Sequence, residues 1–204
     1  FPVVFVCAEG GALRTGAFTA LTLSLLQDTL SKSYGRIDFR KAVYAFSGVS
    51  GGSLGLSFFN AQAYLNTADE LLFSNNYSKG AKAFFSEDFL APVVGKMFYG
   101  EVMNLIIPWH INRFDRAIAL EKAWEQGYLR VTNSTGRNYF SADFLHLYPN
   151  NNLYPALMIN TTEVESGRQC WLMSVKPDTL NILANERDLF AYKIRGGINY
   201  STMI

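Results

Sequence analysis

Residues 2–8 form a continuous apolar run, which breaks into a polar, glycine-rich stretch at 9–16 and resumes as Phe18, Leu21, Leu25, Leu26 and Leu30. The run has the character of a fully buried strand, and the spaced residues after it mark one face of an α-helix. The same alternation then repeats. Residues 41–46 are short, apolar and β-prone, a glycine-rich break follows at 48–52, and Leu54, Phe58, Ala61 and Leu65 return at helical spacing. This predicts strands near 3–8 and 42–47, and helices near 15–32 and 52–66. Such a βαβα opening implies an α/β fold with right-handed crossovers and a mostly parallel sheet covered by helices on both faces, a three-layer α/β/α arrangement.

From about 67 to 127 the pattern changes to a long, mostly helical insertion following the second helix. Phe84, Phe85, Phe89, Leu90, Val93, Val94, Met97 and Phe98 share helical spacing, and a charged helix is expected near 114–126. Such a stripe faces either ordinary core or, in this position, an acyl-chain pocket or a membrane-facing cap. Strands return at 153–160 and 169–175, with a hairpin at 163–167. The expectation is one domain spanning 1–204.

Composition narrows the field. A net charge of +1 and an apolar fraction of 49% give no sign of a polyanion partner, so nucleic-acid binding is not expected. No stretch has the length and apolarity to span a membrane. Cys7 and Cys170 are distant and flanked by apolar residues, which suggests buried free thiols. No metal-ligand spacing occurs, and no cofactor is expected. The Asn-x-Ser/Thr triplets at Asn76, Asn133, Asn160 and Asn199 fit chance in a chain rich in these residues.

The chemistry concentrates in the two glycine-rich breaks. Gly48-Val49-Ser50-Gly51-Gly52 lies between a predicted strand and a predicted helix. A Gly-x-Ser-x-Gly in that context holds a nucleophilic serine out on a bend so tight that flanking side chains must be absent. The earlier break, Glu9-Gly10-Gly11-Ala12-Leu13-Arg14-Thr15-Gly16, opens a helix and offers unpaired backbone N–H groups to an anion. It matches neither the dinucleotide fingerprint nor the phosphate-binding loop. An oxyanion loop remains, alongside a purely structural turn.

On these two loops the chain resembles the patatin-like phospholipase family, which carries an Asp-Gly-Gly-Gly-x-Arg-Gly loop after its first strand and a Gly-x-Ser-x-Gly elbow on a later one. Ser86 to Pro92, Phe114 to Glu125 and Pro155 to Arg168 are similar to a bacterial branch whose members are often large and membrane-associated. The resemblance implies a patatin-like fold and hydrolysis of lipid or lysophospholipid esters, with a membrane surface as partner. Ser50 would be the nucleophile of a Ser–Asp dyad, and Gly10, Gly11 and Ala12 would form the oxyanion hole. Arg14 would support the loop or draw a lipid phosphate, with a structural salt bridge as the alternative. The chain departs from the family at Glu9, Ala12 and Thr15, and alanine at 12 is expected to bar the positive φ open to glycine. No Asp is followed by Gly, so the dyad acid is expected beyond Ile204, and no carboxylate of this chain is expected at Ser50. Glu9, which borders the loop, is expected to fix it through the backbone instead.

Two other readings stay open. One is a Ser–His–Asp hydrolase, for which Asp115 or Asp143 with His146 has the right order; the other histidine is His110. The other reading is a catalytically silent lipid-binding or assembly module of the same fold.

Overall fold

The apolar runs and their helical sequels become β1 (Val4–Ala8), α1 (Ala12–Ser33), β2 (Val43–Val49) and α2 (Gly51–Ala68) in the computed structural model. It describes residues 3–33, 37–68, 76–107, 116–132, 138–142, 144, 155–163, 166–175 and 187–188. Beyond α2 come α3 (Tyr77–Phe85), α4 (Leu90–Gly95), a π-helical stretch (Lys96–Glu101), α5 (Val102–Ile106) and α6 (Arg116–Thr132). The chain then returns to the sheet as β3 (Ala156–Thr162), β4 (Gln169–Met173) and the two-residue β5 (Arg187–Asp188).

The protein is thus mixed α/β. Its open sheet has the order β1-β2-β3-β4-β5, with β1, β2 and β3 parallel and β4 antiparallel to β3. The expected hairpin joins β3 to β4, closed by Gly167 N–H donating to the Glu163 carbonyl at 2.8 Å with Gly167 at φ 68°. Register aligns Ala8 of β1 with Gly48 of β2 and Gly48 with Ile159 of β3. The carboxyl ends of the parallel strands, where open α/β sheets place their sites, therefore lie side by side.

The second helical layer expected from the parallel strands is not found among the described residues. On the face away from α2, Phe5 and Tyr44 are about two-thirds exposed (64% and 65%). A register shift between Val4 and Phe5 leaves Tyr44 unpaired, and its ring lies 5.4 Å from that of Phe5. Cys7 belongs to this face and is exposed rather than buried, whereas Cys170 is buried; both are free thiols.

On the covered face α2 is buried on every side from Gly51 to Ala63, as a helix enclosed between a sheet and other helices must be. Phe58 stacks on Phe84 of α3 at 4.3 Å, with Tyr128 of α6 and Phe140 around them. Truncating Phe58 to alanine would cost about 3–5 kcal/mol.

The apolar stripe expected from Phe84 to Phe98 is not one helix. It breaks after Phe85, and the Asp88 carboxylate accepts hydrogen bonds from Leu90 N–H and Ala91 N–H, each at 3.0 Å, capping α4. Arg130 grips Glu87 of the same turn with bonds of 3.1 and 2.7 Å, tying α6 to the start of α4. A second carboxylate, Asp28 of α1, caps α3 from 49 residues away by accepting Tyr77 N–H and Ser78 N–H, both at 3.0 Å. These polar ties join α3 to α1 and α6 to the turn before α4.

Candidate active site

Ser50 occupies the bend between the last residue of β2 and the first of α2, exposed and at φ 52°. That left-handed conformation costs a non-glycine residue about 1–3 kcal/mol and persists only where the surroundings enforce it. They do so here by close approach. A β-carbon on Gly48 would lie 2.8 Å from Ser53 Cα, and one on Gly52 would lie 2.5 Å from the Glu9 carbonyl oxygen. The glycines that the elbow pattern requires are therefore the ones that let the strand turn into the helix. Asn160 of β3 braces the strand end, its amide donating to the Gly48 carbonyl at 3.0 Å and to Ser47 Oγ at 3.1 Å.

The loop after β1 lies against this bend. A β-carbon on Gly10 would sit 3.5 Å from Ser50 Cβ, and one on Gly51 would fall 1.8 Å from the Ala12 carbonyl oxygen. Ala12 itself stands at φ 52°, contrary to the expectation that alanine excludes that conformation. The contacts holding Gly51 against Ala12 enforce a backbone that the side chain disfavours. α1 and α2 both begin at this junction, so their unpaired N–H groups and the positive ends of two helix dipoles converge on it.

An apolar cavity of about 560 Å³ opens in front of Ser50, within the usual range for a small-molecule site. Ala12, Leu13, Gly51 and Leu54 line it beside the serine, with Phe89, Leu90 and Val93 from the α4 region and Leu120 and Trp124 of α6 opposite. The 67–127 insertion has therefore divided roles. Phe84 and Phe89 are core, while Leu90 and Val93 wall the cavity and Leu90, Phe98, Leu105 and Ile106 are exposed.

Of the predicted site residues, Ser50, Gly10 and Ala12 meet. Gly11 adjoins them, but a β-carbon there would point at Thr15 Oγ1 rather than at the serine. Arg14 is exposed in the first turn of α1, does not line the cavity and makes no ion pair among the described residues. Glu9 is exposed. Among the described residues nothing hydrogen-bonds to Ser50 Oγ. Asp115, Asp143, His110 and His146 lie outside the described residues. No group of His, Cys, Asp or Glu among the described residues could hold a metal ion, and no described helix is long and apolar enough to cross a membrane.

Sequence reasoning did not single out Gly51, which follows Ser50, packs against Ala12 and lines the cavity, although the position after the serine of a Gly-x-Ser-x-Gly turn was a usable signal. It also did not single out Leu120 and Trp124, whose spacing of four on a charged helix was a usable signal. No family model, curated protein or solved structure matches this chain, so its own residues and geometry carry the functional reading.

Proposed function

We propose that the protein is a serine-dependent carboxylic ester hydrolase of patatin-like type acting on lipid or lysophospholipid esters. The observation that carries this reading is Ser50 held at φ 52° on a strand-to-helix bend, facing an apolar cavity of about 560 Å³. Ser50 attacks the ester carbonyl, and the negative charge that develops on the carbonyl oxygen is met by N–H groups of Gly51 and the Gly10–Ala12 loop. The ester C–O bond breaks, the alcohol departs with the proton taken from the serine, and the acyl chain stays in the space between Leu90, Val93, Leu120 and Trp124 until water releases it as the free acid in a second step. A carboxylate acting as base, the partner in a Ser–Asp dyad, completes the scheme and is assigned to no described residue. The exposed apolar segment around Phe98, Leu105 and Ile106 suits contact with a membrane surface.

The test is covalent. An alkyl fluorophosphonate should label the full-length protein at one site, lost in Ser50→Ala, with the adduct on the peptide containing Ser50. Labelling elsewhere, or its persistence in the variant, would reject the nucleophile. The lack of a hydrogen-bond partner for Ser50 Oγ among the described residues favours a second reading, a silent lipid-binding module of the same fold. That reading predicts no labelling but retained binding of a lysolipid.

A further inference from the structure

Leu120 and Trp124 stand one turn apart on α6 and line the cavity in front of Ser50, and Gly127 follows on the same helix face. Glycine in a helix interior is unfavourable relative to alanine, so its presence calls for a packing reason. Gly127 is buried, and the ring of Phe89 fills the notch that it leaves. A β-carbon at position 127 would lie 2.8 Å from Phe89 Cε1 and 3.2 Å from its Cζ. Phe89 is buried too, yet it lines the cavity. Its ring also packs on Phe84, with centroids 4.9 Å apart, and Phe84 stacks in turn on Phe58 at 4.3 Å. Both of those rings are fully buried, so they form a close-packed backstop. The backbone on either side of Phe89 is tied as well. Asp88 accepts Leu90 N–H and Ala91 N–H, and Glu87 accepts from Arg130, one turn beyond Gly127.

We propose that Phe89, seated against Gly127, is the stop that sets how long an acyl chain the protein accepts. A chain whose carbonyl lies at Ser50 runs between the apolar walls of the cavity and gains affinity with each methylene it buries. Where it meets the ring, a further methylene must displace a close-packed side chain or turn back towards the mouth, and the gain ends. The glycine fixes where that happens. Any side chain at 127 drives the ring away from α6, and with Phe84 held behind it the ring yields into the cavity it lines. Identifying the bound chain as the acyl part of a substrate rests on the hydrolase reading. The stop rests on packing alone.

Binding is measured on the full-length Ser50→Ala protein, which removes turnover. Monoacylglycerols from hexanoyl to stearoyl, each below its aggregation concentration, are titrated by calorimetry. Affinity should rise about fourfold per added methylene and then level off at a break in the series. Adding Gly127→Ala should move the break about one methylene shorter, since the ring must retreat on the order of 1 Å to reach ordinary contact. Adding Phe89→Leu opens the floor and should move the break to longer chains. Melting temperatures verify folding, and alanine at 127 is the better helix former, so Gly127→Ala decides alone if Phe89→Leu does not fold. A series without a break overturns the proposal, as does a break that stays in place or lengthens in folded Gly127→Ala. If fluorophosphonate fails to label Ser50 in the parent protein but the break moves as expected, the hydrolase reading fails and the stop stands. Labelling with an unmoved break keeps the hydrolase and removes the stop.

Discussion

The two βα turns of this chain use one backbone device to opposite ends. Each puts a non-glycine residue at φ 52° where a strand gives way to a helix: Ala12 after β1 and Ser50 after β2. One of these residues has a methyl group and contributes only its backbone; the other presents a hydroxyl to the cavity. Their glycines differ accordingly. Side chains on Gly51 or Gly52 would strike backbone of the first turn, whereas Gly10 has only ordinary contacts and Gly11 only a threonine side chain before it. The two turns are thus clamped against each other at Gly51 and Ala12, and the room for adjustment in the first lies at Gly10 and Gly11. Under the proposed function, strain of the same form would serve nucleophile presentation in one place and donor placement in the other.

The largest effect expected from breaking this pairing is loss of the hydroxyl. Ser50→Ala should lower ester turnover by roughly 10⁴-fold or more, while stability stays within about 0.5 kcal/mol because the residue is exposed. A folded variant with parental turnover would remove the functional half of the comparison. Next comes the partner turn. Gly11→Val should raise the barrier by about 2.7–4 kcal/mol, the cost of displacing an oxyanion donor, with KM changing little. A change mainly in KM would mean that this loop binds phosphate in the ground state.

Gly51→Ala tests the clamp itself. Its β-carbon would meet the Ala12 carbonyl oxygen at 1.8 Å, so the turns must separate, at a cost of about 1–3 kcal/mol in stability. Gly10→Ala, with its nearest contact at 3.5 Å, should leave the urea midpoint almost unchanged. Equal midpoints for the two variants would contradict the close approach.

A control comes from a polar cluster away from both turns. Asp38 accepts bonds from Arg40 Nη2 and Nε, both at 2.7 Å, and from Gln27 at 3.2 Å, while Arg40 also donates to the Ala63 carbonyl. Burial pushes the Asp38 carboxyl up, but the hydrogen bonds and charge of Arg40, with help from Gln27, outweigh it and leave the group below its ordinary value of 3.8. A depressed carboxylate stabilises the fold above the unfolded value, and that contribution disappears as pH falls through the lower folded one. Stability should therefore fall below about pH 4, and Asp38→Asn should reduce that acid-induced loss. Unfolding curves at pH 6 and pH 3 for both proteins measure the difference. An identical fall in the variant would assign the acid sensitivity to other carboxylates.

Much of this geometry was legible in the residues. The βαβα opening, the hairpin at 163–167 and the meeting of Ser50 with Gly10 and Ala12 follow from apolar periodicity and from glycine placed where side chains cannot fit. The break in the Phe84–Phe98 stripe was not, because a shared helical spacing does not reveal interruption; the usable sign was Asp88 standing just before the apolar residues it caps. Nor could periodicity show that Phe5, Tyr44 and Cys7 would be exposed, since an apolar strand reads alike whether its second face is covered or not. The conformation of Ala12 was misjudged for another reason. Intrinsic preference set the expectation, and tertiary contact through Gly51 overrode it.

That override supplies the smallest and sharpest prediction. If Ala12 is held in the left-handed region against its preference, Ala12→Gly should remove a strain of about 1–3 kcal/mol. Glycine's freer unfolded chain offsets about 0.5–1 kcal/mol of this. The net is a stabilisation of up to about 2.5 kcal/mol, seen as a higher urea midpoint at unchanged m-value. The N–H at position 12 survives the substitution, so labelling of Ser50 by fluorophosphonate should continue at a similar rate. Ser50→Gly gives the matching measurement in the other turn and should gain a comparable amount while abolishing labelling. Equal gains would establish that both turns carry the same strain. A loss of stability in Ala12→Gly would show that the methyl group contributes more through packing than the backbone loses, and the likeness between the turns would then be one of dihedral angle alone.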